Sequence, residues 1–272
     1  LNIQSNASVN SLLTAPLSGT GETPPTYIIT ATAGSGGTIS PSGTVTATQG
    51  QSQAFTVTPN TGYHISSVTG CGGTFSENTY TTGPITADCT VTASFAINTY
   101  TITTTVTGGS GGTINPSSPT VDYGGSQTFN ISADPCYTLT DVKVDGVSQG
   151  AITSYTFTNV TSTHTIEAIV AIRIYFITAE ASSSSGGTIF PSGDSHNNVP
   201  VNCGANQTFS MMPNQGWHIE NVKVDGVLKG PVDSYTFANV TSIHKMTVFF
   251  RLSPYTLSVA KSGTGSGTVA ST

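Results

Sequence analysis

The chain has 272 residues, of which only 7% are charged, and its formal net charge is −6. This composition argues against a nucleic-acid-binding protein, because phosphate contacts need clustered cations and the seven Lys and Arg residues are scattered along the sequence. No apolar run approaches the roughly 20 residues of a membrane-spanning helix, so we expect no insertion into a membrane.

Residues 1–26 do not share the pattern of the rest of the chain, and we assign them to a separate N-terminal segment. The stretch before Tyr27 is rich in Gly, Thr and Pro, which is typical of a linker. Upstream of this stretch, Val9, Leu12 and Leu13 are apolar and have no obvious repeat to pack against. We expect this segment to be a linker that can also donate a β-strand to a neighbouring molecule.

From residue 27 onward one sequence pattern occurs three times, and a fourth copy begins near the C-terminus. Each copy opens on a short strand-like segment, and the openings begin at Tyr27, Tyr100, Tyr175 and Tyr255. They recur roughly every 75 residues, which exceeds the period of about 20 to 50 residues found in solenoids. Each copy is therefore predicted to be a small domain with its own core. The predicted boundaries are 27–98, 99–173, 174–253 and, for the partial fourth repeat, 254–272.

Alternation of apolar and polar residues dominates the repeats, and no stretch has the 3.6-residue period of a helix. The segment from Gln127 to Ser132, for example, predicts a strand with Phe129 and Ile131 facing inward. Asp145-Gly146, like the matching Asp-Gly pair of the third repeat, predicts a two-residue hairpin turn. We predict an all-β protein made of tandem small antiparallel domains, each with five or six short strands, arranged as an elongated rod.

Aromatic residues recur at matched positions of the alternating strands and allow two interpretations. They either form the cores of the repeats or present a stacking platform for sugars. Recurrence inside alternating strands favours the core. We therefore expect Phe129, Phe209, Tyr137 and Trp217 to be mostly buried.

Four of the five histidines form two matched pairs, His64 with His218 and His164 with His244. The members of each pair belong to different repeats, which keeps them apart and makes them poor candidates for metal binding or catalysis. We identify no glycine-rich phosphate loop ahead of a helix and no paired carboxylates across a cleft. The sequence therefore predicts no catalytic residue, no metal and no cofactor.

The four cysteines suggest an oxidising compartment. Cys71 and Cys89 lie in one repeat, where Cys71 falls at the hairpin turn and Cys89 replaces the histidine before the last strand. A disulfide between them would stabilise the repeat by about 3 kcal/mol. Cys136 and Cys203 have no partner within their own repeats, so they bridge repeats two and three, bridge two molecules, or stay reduced. Zinc is not expected, since no Cys-x-x-Cys motif is present.

Taken together, the repeated motifs resemble the divergent internalin-type B-repeat family of bacterial surface proteins. The motifs are Tyr-x-Ile-x-Ala, Gly-Gly-Thr-Ile-x-Pro, Gln-x-Phe-x-Ile-x-Pro, Gly-Tyr-x-Ile, Val-x-Val-Asp-Gly and a closing Tyr-Thr-Phe, and the match covers about residues 27–272. The resemblance implies an extracellular, non-catalytic β-module that is used in tandem. Members of the family differ in their partners, so the resemblance carries no binding residue over to this chain.

We therefore expect a secreted bacterial structural protein and not an enzyme. Its role would be that of a stalk or of a surface-filament subunit that assembles head to tail by β-strand addition, and its partners would be further copies or further repeats. Two alternatives remain open. One is an adhesin or carbohydrate-binding module that contacts a glycan or a cell-surface ligand, and the other is a spacer within a larger secreted enzyme.

Overall fold

The computed structural model describes residues 21–255, together with residues 258, 260, 262–265 and 268. Every regular element within these residues is a β-strand, as the sequence predicts. No helix in the described part of the chain is long and apolar enough to cross a membrane. Val9, Leu12 and Leu13, the residues assigned to assembly, lie outside the described residues, as does part of the predicted fourth repeat.

The chain divides into two compact units. The first contains the described part of Leu1–Thr101 together with Thr120–Gln127 and Phe157–Thr163. The second contains Ile102–Pro119, Thr128–Thr156 and the described part of His164–Thr272. The repeat boundaries stay a prediction, although the order of the strands recurs three times along the chain.

The first repeat contains eight strands in two sheets, more than the five or six that the sequence predicts. In chain order they are β1 Thr26–Ala33, β2 Gly37–Ser40, β3 Gly43–Thr48, β4 Ala54–Pro59, β5 Tyr63–Gly70, β6 Thr74–Ser76, β7 Thr79–Thr81 and β8 Cys89–Ile97. One sheet has the order β3-β1-β8-β5, and the other has the order β2-β4-β7-β6. We call the sheet that holds the first and last strands of a repeat its terminal sheet.

The second and third repeats follow the same plan with small changes. The second repeat contains β9 Thr99–Thr107, β10 Gly112–Asn115, β11 Thr120–Asp122, β12 Gln127–Ala133, β13 Tyr137–Val144, β14 Val147–Ser148, β15 Ser154–Phe157 and β16 His164–Ile172. The third contains β17 Ile174–Ala181, β18 Gly187–Phe190, β19 Asn198–Asn202, β20 Gln207–Pro213, β21 Trp217–Val224, β22 Val227–Leu228, β23 Ser234–Phe237 and β24 His244–Leu252. Their terminal sheets have the orders β11-β9-β16-β13-β14 and β19-β17-β24-β21-β22. The other two sheets are β10-β12-β15 and β18-β20-β23.

The expectation that all strands are antiparallel is wrong at the centre of each terminal sheet. The first and last strands of every repeat pair in parallel: β1 with β8, β9 with β16 and β17 with β24. Parallel neighbours need a long crossover connection, and the rest of the repeat, including the second sheet, supplies it here. Alternation in a sequence shows which side chains point inward but not the direction in which the neighbouring strand runs, so the pattern could not reveal this pairing.

The core of each repeat is built from the inward side chains predicted by alternation. Phe129 and Ile131 are buried, which confirms their predicted orientation, and Phe209 has no exposed surface. Tyr137 and Trp217 are mostly buried, as expected, although each keeps some exposed surface. Trp217 packs against the periphery of the third core.

The partly buried aromatic rings explain the glycine turn that opens each repeat. A Cβ atom added to Gly111 would overlap the ring of Tyr137. One added to Gly186 would lie 2.4 Å from Phe250 Cβ and 3.1 Å from the ring of Trp217. The backbone of the turn therefore lies directly on aromatic residues, which glycine permits because it has no Cβ atom. Tyr63 has the same relation to Gly36 in the first repeat.

Candidate functional site: turn clamps and repeat junctions

The Asp of each Asp-Gly hairpin turn forms hydrogen bonds to the beginning of the last strand of its repeat. Asp145 and Gly146 have φ angles of 48° and 80°, and Val144 pairs with Val147, which confirms the predicted hairpin. His164 Nδ1 donates a hydrogen bond of 2.7 Å to Asp145 Oδ2. The backbone N–H of Thr165 donates to the other carboxylate oxygen at 2.8 Å. Both carboxylate oxygens are thus used to hold the turn against β16.

The third repeat forms the same arrangement with its own residues. His244 Nδ1 donates to Asp225 Oδ2 at 2.7 Å, and the N–H of Lys245 donates to Asp225 Oδ1 at 2.9 Å. Both Asp side chains remain almost half-exposed, at 47% for Asp145 and 46% for Asp225. Solvent therefore screens these Asp–His contacts, and each one contributes little by charge alone.

The first repeat replaces the ion pair with a covalent bond. Cys71 and Gly72 have φ angles of 48° and 61°, so the tight turn is kept although the Asp is absent. The strands on either side of this turn, β5 and β6, lie in different sheets and do not form a hairpin. Cys71 forms a disulfide with Cys89, with their Cα atoms 5.5 Å apart. Cys89 is the first residue of β8, as His164 and His244 are the first residues of β16 and β24. We call these three links, Cys71–Cys89, Asp145–His164 and Asp225–His244, the turn clamps.

The ionic clamps shift the titration of their carboxyl groups. Partial burial raises the pKa of Asp145, but the hydrogen bonds from the Thr165 N–H and from His164 lower it by more, so the net pKa lies below the ordinary value. Partial burial likewise raises the pKa of Asp225, and the Lys245 N–H and His244 more than compensate. Both groups are carboxylates at neutral pH, which is the form that the clamp requires.

A single residue joins each repeat to the next, and its backbone is hydrogen-bonded. Asn98 lies between β8 and β9, Arg173 lies between β16 and β17, and Ser253 follows β24. The N–H of each donates at 2.8 Å to the carbonyl at the same repeat position, and the three pairs are Asn98 with Gly62, Arg173 with Cys136 and Ser253 with Gly216. The linker residue is thereby fixed to the repeat that precedes it.

The first two linkers are also fixed to the repeat that follows. The carbonyl of Asn98 accepts the N–H of Tyr123 at 2.8 Å, and the carbonyl of Arg173 accepts the N–H of Cys203 at 2.9 Å. Both backbone groups of these linkers are therefore satisfied, which removes the freedom that a linker usually has.

Side chains reinforce the junctions and give a role to one histidine pair. His64 Nδ1 donates to Asn98 Oδ1 at 2.8 Å, and His218 Nδ1 lies 3.2 Å from Ser253 Oγ. In the second repeat Thr138 occupies the same position, and its Oγ1 accepts a 3.2 Å hydrogen bond from Arg173 Nε. The matched histidines thus contact the linker of their own repeat.

The second junction carries a disulfide between repeats. Cys136 and Cys203 are bonded, with Cα atoms 5.3 Å apart. Of the three alternatives left open by the sequence, the structure shows the bridge between repeats two and three. The equivalent positions at the first junction are Gly62 and Tyr123, where the tyrosine ring lies directly on the glycine backbone. A covalent bond at one junction therefore replaces an aromatic contact at the other.

The chemistry of these sites is cross-linking. Among the described residues, no group of three or more His, Cys, Asp or Glu side chains is placed to hold a metal ion. The Asp145–His164 and Asp225–His244 pairs were missed by the sequence analysis, although a signal was present. Cys71 aligns with the two turn aspartates and Cys89 aligns with the two histidines, so a bond predicted for one repeat implies a contact in the others.

Comparison with known proteins gives a family for the first repeat. Residues 27–99 match the model of the divergent InlB B-repeat domain. No curated protein sequence matches the chain. Among solved structures, the Bacillus anthracis TIE protein is similar at 10% identity and a TM-score of 0.40, over 85% of this chain and 51% of that chain. The chain thus spans about half the length of that protein.

A crystal structure of the I9–I11 tandem of titin is similar at 10% identity and a TM-score of 0.16, over 82% of this chain and 96% of that chain. Neither structural likeness bears on function. The family match agrees with the resemblance drawn from the repeated motifs. Over residues 27–99 the first repeat of this chain is thus similar to divergent InlB B-repeat domains.

Proposed function

We propose that the chain is a non-catalytic segment of an extracellular bacterial protein, in which tandem B-repeat domains form a stalk that bears mechanical load. The observation that carries this proposal is the parallel pairing of the first and last strands of each repeat. In the first repeat, Ile29 to Ala33 of β1 pair in register with Cys89 to Ala93 of β8. The chain enters a repeat at the beginning of one strand of this pair and leaves at the end of the other.

Parallel terminal strands resist tension in shear. Because the two strands run in the same direction, pulling the chain at both ends of a repeat slides one strand along the other. Sliding loads all inter-strand hydrogen bonds together, whereas antiparallel neighbours that are pulled from the same end separate one bond at a time. The short, hydrogen-bonded junctions support the proposal. Tension passes through Asn98 at the first junction, and through Arg173 and the Cys136–Cys203 disulfide at the second.

The three turn clamps also support this function. Each clamp joins a turn to the first residue of the last strand of its repeat. This last strand is one of the two strands that are loaded in shear. The two disulfides fit an oxidising compartment outside the cell, where such bonds persist. Location outside the cell is part of the proposal.

Single-molecule pulling of the first repeat within the full chain tests the load-bearing role. One variant carries attachment handles at Thr26 and Asn98, so that force acts along the parallel pair. A control carries handles at Thr26 and Thr48, which are paired at one end of antiparallel β1 and β3. We expect a clearly higher unfolding force in the first geometry. Equal forces in the two geometries would contradict the proposal.

The filament form of this function requires self-association, for which we propose strand addition by residues 1–26. Strand addition would use main-chain hydrogen bonds for affinity and the apolar side chains of Val9, Leu12 and Leu13 for register. Sedimentation of the full chain and of a variant that lacks residues 1–20 tests it. Assembly that persists in the shortened variant rules out this segment as the donor.

A further inference from the structure

The third repeat departs from the other two at three positions in or next to its terminal sheet. Phe176 stands where the first two repeats have Ile28 and Thr101, so only the third repeat has an aromatic residue there. Ile243 replaces Asp88 and Thr163. Lys245 replaces Thr90 and Thr165. A change in one repeat alone has no explanation in the shared fold.

All three departures meet at one open cleft of about 490 Å³. Phe176, Ile243 and Lys245 line it together with Asn198 and the Asp225–His244 clamp. Its size lies within the range of about 300–1,000 Å³ that is usual for small-molecule sites. The β17, β19 and β24 strands supply the floor, so hydrogen-bonded neighbouring strands hold the residues in place.

The apolar part of the cleft is exposed to solvent. Phe176 is 46% exposed and Ile243 is 75% exposed, and both line this cleft. Exposed apolar side chains that lie together beside polar groups mark binding surfaces more often than isolated ones do. The cleft therefore places two exposed apolar side chains beside polar groups.

The polar part of the cleft is ordered by internal hydrogen bonds. Thr178 Oγ1 donates to Asn198 Oδ1 at 2.8 Å, which leaves the amide nitrogen of Asn198 as a donor. Lys245 Nζ lies 2.9 Å from Glu180 Oε2, and Asp225 is held by His244. Asp225 in the cleft and Glu180 beside Lys245 thus each have a basic partner, and the site offers donors and acceptors without an excess of either charge.

We propose that this cleft binds a neutral carbohydrate. The apolar C–H face of a sugar ring would stack on Phe176 and contact Ile243, while its hydroxyl groups, which both donate and accept, would bond to Asp225, Asn198 and Lys245. An ionic ligand gains little where the charges are already paired, and a wholly apolar ligand would desolvate the polar groups without replacing their hydrogen bonds. This site goes beyond the load-bearing function and does not depend on it.

Binding to defined oligosaccharides tests the site. The probes are cellohexaose, maltohexaose, mannohexaose and the hexamer of N-acetylglucosamine, with oligogalacturonate as the acidic comparison, each titrated calorimetrically into the full chain. We expect saturable binding of at least one neutral hexamer and weaker or no binding of the acidic one. The variant Phe176→Thr, which installs the residue of the second repeat, should lower the affinity at least about tenfold.

The repeats provide matched controls. Ile28→Thr makes a similar change at the same position of the first repeat and should leave the affinity unchanged, and thermal unfolding confirms that both variants fold. Lys245→Thr should weaken binding without abolishing it, because stacking on Phe176 remains. Failure of all four neutral hexamers, preference for oligogalacturonate, or unchanged affinity in Phe176→Thr would each overturn the proposal.

Discussion

At the level of single residues, the same two positions of each repeat are cross-linked, but the kind of bond differs between repeats. The turn residue and the first residue of the last strand are joined by a disulfide in the first repeat and by an Asp–His pair in the second and third. The disulfide is insensitive to acid, and the Asp–His pair is insensitive to reductants. The repeats should therefore lose their clamps under different conditions.

The acid response follows from the lowered pKa values of Asp145 and Asp225. A carboxyl group whose pKa is lower in the folded than in the unfolded state stabilises the protein above the unfolded value of about 3.9 and loses this contribution as the pH falls through the folded value. The free energy of unfolding should accordingly fall as the pH is lowered from about 5 through the folded pKa values of the two groups. The double variant Asp145→Asn and Asp225→Asn should show a flatter dependence, measured by urea unfolding.

A control for the acid experiment is Glu22→Gln, which changes an exposed acid outside the clamps and should leave the slope unchanged. The effect of the clamp variants should be small, because nearly half of each Asp side chain is exposed and solvent screens the pair. A pH dependence identical to that of the unaltered chain would show that the clamps make no electrostatic contribution.

At the level of strands and turns, close contact between a turn and a ring explains a repeated motif. Gly111 lies between β9 and β10, and the ring of Tyr137 at the beginning of β13 covers its backbone. Gly111→Ala should therefore force the ring outward and destabilise the repeat by roughly 1–3 kcal/mol. Chemical denaturation measures the loss.

The glycine prediction has an internal test and an external one. Removing the ring in the double variant Gly111→Ala and Tyr137→Ala should make the glycine substitution nearly neutral, so the two effects should not add. Gly21→Ala is the matched control, since no atom lies within 4 Å of a Cβ added there. Additive losses of stability in the double variant would mean that contact with the Tyr137 ring is not the reason that position 111 requires glycine.

The strands themselves could largely be predicted from the sequence, whereas the partners of the central strands could not. Alternation located the strand around Phe129 and Ile131, and Asp145-Gly146 located a hairpin, because both signals are local. The parallel pairing of β9 with β16 depends on residues about 60 positions apart and leaves no trace in the alternation. The cleft was missed for a related reason. Phe176 alternates with buried Ile177, and nothing local shows that Ile243 lies beside it.

At the level of the whole molecule, the two disulfides limit how far the chain can extend. Cys71–Cys89 closes a loop with a sequence separation of 18, and Cys136–Cys203 closes one with a separation of 67. An extended chain spans about 3.3–3.6 Å per residue. The first bond therefore shortens the fully extended chain by about 60 Å and the second by about 230 Å. The junction bond thus protects far more of the chain than the turn clamp does.

Pulling the full chain to complete extension measures both lengths. Replacing both cysteines of the junction, Cys136→Ser with Cys203→Ser, should lengthen the fully extended chain by about 230 Å. The matched variant Cys71→Ser with Cys89→Ser should lengthen it by about 60 Å. Reductant should give the sum of the two changes in the unaltered chain and no further change in a variant that lacks all four cysteines. A length that does not respond to reductant would show that neither bond forms, whereas any other pair of increments would reveal a different pairing of the four cysteines.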